Sequence, residues 1–190
     1  MYRDHNCGEL TIKNVGEKVT IAGWVQRIRN LGSMIFIDLR DQFGITQIVV
    51  SADNKEKLEN VVSECVIQVV GTVVERSNKN TKILTGEIEV EAQEIEILGK
   101  CKNVLPFEVN SEKTGEVKED LRLEYRFLDL RNDKLHKTIL LRSEVMKTIR
   151  KKMDELGFTE IQTPILANSS PEGARDYLVP SRLHPGEIGR

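Results

Sequence analysis

No stretch of this chain is apolar for long enough to span a membrane as a helix, and no charged-then-apolar leader opens it. Those absences predict a cytoplasmic protein. Cysteine is scarce: Cys7, Cys65 and Cys101 lie too far apart for a CxxC motif, and their number is odd. They read as reduced, structural thiols in a cytosolic protein. His5, His136 and His184 show no metal-ligand spacing, so no metal site is assigned. Neither sign of charge dominates, with 28 Lys+Arg against 30 Asp+Glu. Residues 1–103 hold 13 basic and 15 acidic groups, which excludes a binder that depends on counterion release alone. Repeats and low-complexity tracts are also missing.

What is present is alternation. From Gly86 to Leu98 carboxylates and aliphatics take turns, placing Ile88, Val90 and Ala92 on one strand face and Glu87, Glu89 and Glu91 on the other. Between Ser33 and Asp41 the same period buries Ile35, Ile37 and Leu39. It leaves Met34, Phe36, Asp38 and Arg40 outward. A Phe on the wet face of a strand, with Arg and Gln nearby, suits a platform on which single-stranded bases stack.

Five strands are predicted in the first half: Lys18 to Arg29, Met34 to Arg40, Gly44 to Ser51, Cys65 to Val74 and Glu87 to Leu98. A polar helix with an Asx cap is predicted from Asp53 to Val62, between the third and fourth strands. Five strands with one helix at that place is the layout of an all-β OB-fold barrel, a fold used for oligonucleotides. The loop Ser77 to Lys82 then joins strands four and five. Periodicity is lost from Gly99 to Lys118. From Lys134 to Leu156 a helical stripe of Leu135, Ile139, Met146, Ile149, Met153 and Leu156 takes over, stopped by Gly157. A short strand, Phe158 to Gln162, is predicted to follow. The expected organisation is a barrel over 1–103, a linker or hinge over 104–133, and a further segment over 134–190.

These motifs resemble a known family. Gly23-Trp24-Val25, Phe36-Ile37-Asp38-Leu39-Arg40-Asp41 and Thr85-Gly86-Glu87-Ile88-Glu89-Val90 resemble the anticodon-binding OB domain of bacterial aspartyl-tRNA synthetases. Tyr125-Arg126-Phe127-Leu128-Asp129-Leu130-Arg131 resembles the hinge that follows it. Residues 157–166, from Gly157 to Leu166, resemble the family's first signature motif. Residues 170–182, from Ser170 to Arg182, are similar to its substrate-closing loop and favour the aspartate enzyme over the asparagine and lysine ones. The resemblance implies that 134–190 is the start of an α+β class II catalytic domain, holding that motif and that loop. Family members continue into a sheet with a second and a third motif, each bearing an ATP-binding Arg. Neither is present here, so the resemblance implies an N-terminal fragment of a synthetase, inactive by itself.

The resemblance also distributes roles. It implies that Phe36 stacks on an anticodon base, that Gln47 donates and accepts at a uridine-type edge, and that Glu89 accepts from a guanine-type base. Arg29 and Arg27 suit phosphate or base contact, although plain surface charge explains Arg27 at least as well. Glu172 is implied to sense the amino group of substrate aspartate, and Pro164 to belong to the family's homodimer interface. ATP and Mg²⁺ are the full-length family's cofactors, with none expected on this fragment. The implied partners are the anticodon loop of aspartate tRNA and, for the complete enzyme, L-aspartate and ATP. Aspartate–tRNA ligase is therefore the leading reading. A non-catalytic tRNA- or single-strand-binding module is the alternative from another class. A synthetase charging both aspartate and asparagine tRNAs is a further one, although Leu31-Gly32-Ser33 resembles the stricter aspartate version.

Overall fold

The computed structural model describes residues 2–102, 104–110, 117–165, 179–184, 186 and 188–189. The chain divides into two units, Met1–Asp129 and Leu130–Arg190. In the first unit five strands form a closed barrel. They are β1 (Lys18–Asn30), β2 (Met34–Arg40), β3 (Ile45–Ser51), β4 (Val66–Glu75) and β5 (Ile88–Gly99). Their order around the barrel is β1-β2-β3-β5-β4, and β4 returns to pair with β1. Every pairing is antiparallel except β3 with β5, where Ile48 faces Val90 and Val49 faces Glu91. This is the predicted OB-fold.

The period-two residues fill the barrel. Val19, Ile21 and Val25 of β1, Ile35, Ile37 and Leu39 of β2, Ile67, Val69 and Val73 of β4, and Ile88 and Val90 of β5 form one buried cluster. β-branched side chains dominate it, as the pleated, half-buried surface of a strand favours. Gly71 sits where β5 bulges against β4 at Gln93; a Cβ there would lie 2.3 Å from the Glu91 carbonyl oxygen. Only glycine permits that approach. Cys7 is packed into the same cluster, and burial pushes its thiol well above the ordinary range.

Two expectations from the alternation need correcting here. Arg40 does not face water: it is 3% exposed, and its guanidinium meets the Glu64 carboxylate at 2.8 Å. Trp24, opposite Arg40 in the β1–β2 register, lies under the guanidinium at 5.8 Å. Glu64 reaches this position because the chain entering β4 hydrogen-bonds across to Val25 and takes a positive φ of 67° at Glu64 itself. The outer face of β2 is thus roofed at one end by the β3–β4 connection, which no period-two pattern announces. The second correction concerns that connection. The expected helix is there, as a 3₁₀ helix over Ala52–Leu58, but the expected Asx cap is not: Ser51 precedes it without a side-chain cap bond. Leu58 and Val61 dock into the core and set its path.

Beyond the barrel the first unit adds α1 (Glu119–Glu124) and α2 (Arg126–Asp129). Phe107, Val109 and Leu128 form a second small core with Leu105, Val117, Leu121 and Tyr125 against it. The wholly buried Asp129 carboxylate is held by the Arg122 guanidinium at 2.8 Å and by Arg126. A buried carboxylate needs such partners, because desolvation otherwise penalises its charge. These helices and this ion-pair cluster fall within the span expected as a hinge.

The second unit contains α3 (Asp133–Glu155). Asn132 caps it, its Oδ1 accepting from the Lys134 and Leu135 amides at 3.1 and 3.2 Å. Gly157, at φ +84°, ends it, and the Phe158 amide returns to the Met153 carbonyl at 3.1 Å. None of α3's residues is buried, and Ile139, Met146, Ile149, Met153 and Leu156 of its apolar stripe are exposed. The strand predicted at Phe158 to Gln162 is not formed: residues 158–164 pair with no strand. A strand needs a neighbour to satisfy its backbone groups, and the only other sheet among the described residues is the two-residue pair β6 (Val179–Pro180) and β7 (Ile188–Gly189). Arg150 still ties back to Glu160 at 3.0 Å.

The Arg40–Glu64 pair makes a direct stability test. Glu64→Gln removes the carboxylate charge that meets the buried Arg40 guanidinium at 2.8 Å, and breaking a buried pair in this way costs about 3–5 kcal/mol. Urea unfolding should show a lower midpoint at unchanged slope.

Candidate nucleic-acid interface

Beside the Arg40 roof, the same outer face of the barrel carries a chain of polar side chains drawn from different strands. Arg29 of β1 donates from Nη2 to Asp38 Oδ1 at 2.7 Å and to Gln47 Oε1 at 3.0 Å. Gln47 of β3 donates from Nε2 to Glu89 Oε2 of β5 at 2.7 Å. Arg76, one residue past β4, donates from Nη2 to the same Gln47 Oε1 at 2.9 Å and sets its Nε 4.0 Å from Glu89. Phe36 of β2 lies opposite Arg29 in the β1–β2 ladder and opposite Val49 in the β2–β3 ladder. It is half-buried, with one side left to solvent.

The register explains the assembly. The parallel β3–β5 pairing at Ile48 and Val90 brings Gln47 and Glu89 to neighbouring places on one face. The antiparallel pairing of Asp38 with Gln47 then adds β2. Cross-strand neighbours at these positions are about 5 Å apart, within reach of long polar side chains. Gln47 is only 4% exposed; its carbonyl is taken by two guanidinium groups and one amide hydrogen by Glu89. Its amide orientation is therefore fixed. With Gln47 so engaged, the groups reaching solvent are the half-buried Phe36 ring and the Glu89 side chain, 16% exposed, with Arg29 at the rim.

The charges on this face balance: Arg29 and Arg76 stand against Asp38 and Glu89. A neutral, hydrogen-bonded lattice with an aromatic ring favours base recognition over bulk phosphate attraction. The β4–β5 connection borders the face. Asn80 and Gly86 close it through a 2.9 Å backbone bond, and Lys79 bridges Glu75 and Glu87 at 2.9 and 3.5 Å. The Glu75 carboxylate raises the pKa of Lys79, keeping it cationic beside the face. Lys82 follows, its amide held by Asn80 Oδ1 at 3.0 Å.

Of the residues singled out in the sequence, Phe36, Gln47, Glu89 and Arg29 are brought together. Arg27 is not in their network. It is exposed, faces Asp38 in the ladder and lines, with Asp38, an adjoining cleft of about 1100 Å³ that also includes Gln26, Glu64, Cys101 and Phe107. Pro164 is exposed in the second unit, and Glu172 lies outside the described residues. Arg76 was missed by sequence reasoning. Its signal was available: it lies at even spacing from Val74, on the outward phase of β4, where that strand's end meets Glu87 to Glu89.

A five-stranded barrel with this face defines an oligonucleotide-binding OB domain, and the comparisons agree. Residues 19–98 match the OB-fold nucleic acid binding domain family, and residues 118–189 match the class II tRNA synthetases (D, K and N). The fold is similar to asparaginyl-tRNA synthetase from Pyrococcus horikoshii complexed with asparaginyl-adenylate. That match has a TM-score of 0.81 and 25% identity, covering 96% of this chain and 42% of that one. In sequence the chain is 53% identical to aspartate–tRNA(Asp/Asn) ligase from Rickettsia prowazekii, covering 98% of this chain and 31% of the relative. It is 51% identical to aspartate–tRNA ligase from Lactobacillus johnsonii, covering 98% and 30%. Over 98% of its length the chain is thus similar to proteins named aspartate–tRNA ligases, at about 51% identity. It spans about a third of the length of the curated relatives it matches.

Arg76→Met tests the lattice. It removes a charged donor from Gln47 and Glu89 while keeping the stem, and should lower stability by about 1.5–3 kcal/mol. The Gln47 side-chain amide, slow to exchange in the wild type, should become fast by NMR.

Proposed function

We propose that this chain reads the anticodon loop of aspartate tRNA with the face centred on Phe36 and Glu89, as part of an aspartate–tRNA ligase. The observation that carries the reading is the Arg29–Gln47–Glu89–Arg76 lattice beside a half-exposed Phe36. Phe36 supplies a stacking surface. Glu89, steadied by Gln47 and Arg76, accepts from the ring and amino N–H groups that a guanine-type base presents. Gln47, locked by its three bonds, acts on bases mainly by setting the position of Glu89 and Arg29. Arg29 and Arg27 reach toward the backbone of the RNA.

In the family's reaction aspartate attacks the α-phosphate of ATP, and the resulting aspartyl-adenylate passes its acyl group to the terminal ribose of the tRNA. Mg²⁺ there offsets phosphate charge. Among the described residues no group of three or more His, Cys, Asp or Glu is placed to hold a metal ion, so no chemical step is assigned to them. The 190 residues by themselves are proposed to be inactive in aspartate activation, in keeping with the third of their relatives' length that they span. Glu172 is proposed to meet the substrate ammonium in the complete enzyme. Pro164 and the exposed α3 stripe, including Ile149 at 52% and Leu156 at 60% exposure, are proposed to face a second subunit. No helix among the described residues is long and apolar enough to cross a membrane, and the protein is proposed to work in the cytoplasm.

Titration with an aspartate anticodon stem-loop tests the reader. Phe36→Ala should lose roughly 1–3 kcal/mol of binding, and Glu89→Gln should reduce the preference for a guanine-type base at the first anticodon position. Equal binding of stem-loops with and without that base would overturn the assignment. Separately, the purified 190-residue chain should show no aspartate-dependent ATP–pyrophosphate exchange.

A further inference from the structure

Away from the RNA face, two of the three cysteines meet. Cys65 opens β4 and is fully buried; Cys101 follows β5 and is partly exposed. The Cys101 amide donates to Cys65 Sγ at 3.3 Å, and the Val62 amide donates to the same sulfur at 3.4 Å. These two bonds orient the sulfur toward the backbone of Cys101. The N–Cα bond adds only about 1.5 Å, so the Cys101 Cα lies within roughly 5 Å of that sulfur. A sulfur that close to the Cys101 Cα is within reach of the Cys101 side chain, as a disulfide between neighbouring backbones requires. The ladder supports it: Val66, next to Cys65, pairs with Gly99, two residues before Cys101.

We infer that Cys65 and Cys101 are an oxidation site, a thiol pair that peroxide converts into a disulfide fastening the barrel's exit strand to the start of β4. Cys101 is the point of attack, because it lines the open cleft beside Gln26, Arg27 and Phe107. Its thiolate displaces hydroxide from hydrogen peroxide and becomes a sulfenic acid. The Cys65 sulfur then attacks the Cys101 sulfur. The S–O bond breaks, the S–S bond forms, and hydroxide leaves as water with the Cys65 proton. Two electrons pass from the two thiols to one peroxide. Cys7 takes no part: it is fully buried, its sulfur directed to the Ala22 carbonyl at 3.9 Å. The product closes a loop containing β4 and β5, so the segment leaving the barrel at Cys101 is tied to it under oxidising conditions.

The test uses the full chain treated with hydrogen peroxide, followed by alkylation, proteolysis without reductant and mass spectrometry. The expected result is a linked Cys65–Cys101 peptide in most molecules, reversed by dithiothreitol, with Cys7 still a thiol. Cys65→Ala should stop the reaction at a Cys101 sulfenic acid that dimedone traps, and Cys101→Ser should abolish the linked peptide. The wild-type peptide map decides the matter even if either variant folds poorly. Peroxide that leaves Cys65 reduced while Cys101 is over-oxidised, or a link that involves Cys7 or a second chain, would overturn the inference.

Discussion

The parallel contact between β3 and β5 is the constraint on which the rest of the first unit depends. It spans only Ile48 with Val90 and Val49 with Glu91, yet it closes a sheet whose other pairings are antiparallel. Closure removes the sheet edges that water or another chain would otherwise have to satisfy. It also sets the phase of β5 against β3. A shift of one residue would turn Glu89 inward and Val90 outward, and the Gln47–Glu89 bond could not form. Stability and recognition therefore share one register.

The two ends of the outer face solve the problem of charge differently. At one end Arg40 is sealed by Glu64 and Trp24, and the pair is almost wholly out of water. That arrangement does little for net stability compared with an apolar replacement, but it makes either partner alone costly, and so fixes how the β3–β4 connection crosses the face. At the other end Arg29, Arg76 and Glu89 meet on a single glutamine while Asp38 pairs with Arg29, and each of the four keeps some exposure. Here neutrality matters more than burial. With no surplus of positive charge, the lattice holds few phosphates by attraction alone, and selectivity falls to groups that match a base edge or stack on it.

The second unit shows how far local sequence carries an element without its neighbours. α3 has its Asn132 cap and its Gly157 stop, both short-range devices. The segment after it has the composition of a strand and forms none, because strand hydrogen bonds must come from another segment. An α3 stripe with no residue in the buried class is the same fact seen from the side chains: helix geometry is local, but the surface that covers it is not.

The sequence by itself determined the strand set, the inward faces and the barrel. A two-residue period in Ile35, Ile37, Leu39, Ile88 and Val90 leaves little choice about which side meets the core. It also determined that Phe36 and Glu89 stand on the outward face, whereas Arg29, in phase with the buried Val25 by strict alternation, is turned outward only by the bulge between Val25 and Arg27. What only the tertiary structure decided was which outward residues stay outward. Arg40 and Phe36 share a phase on β2, yet a roof folded from the β3–β4 connection buries one and leaves the other half-open. Likewise no local pattern reveals that Arg76 and Arg29, far apart in the chain, share the carbonyl of Gln47. Periodicity reports the direction of a side chain relative to its own strand; what covers or binds that side chain is set by segments brought there by barrel closure.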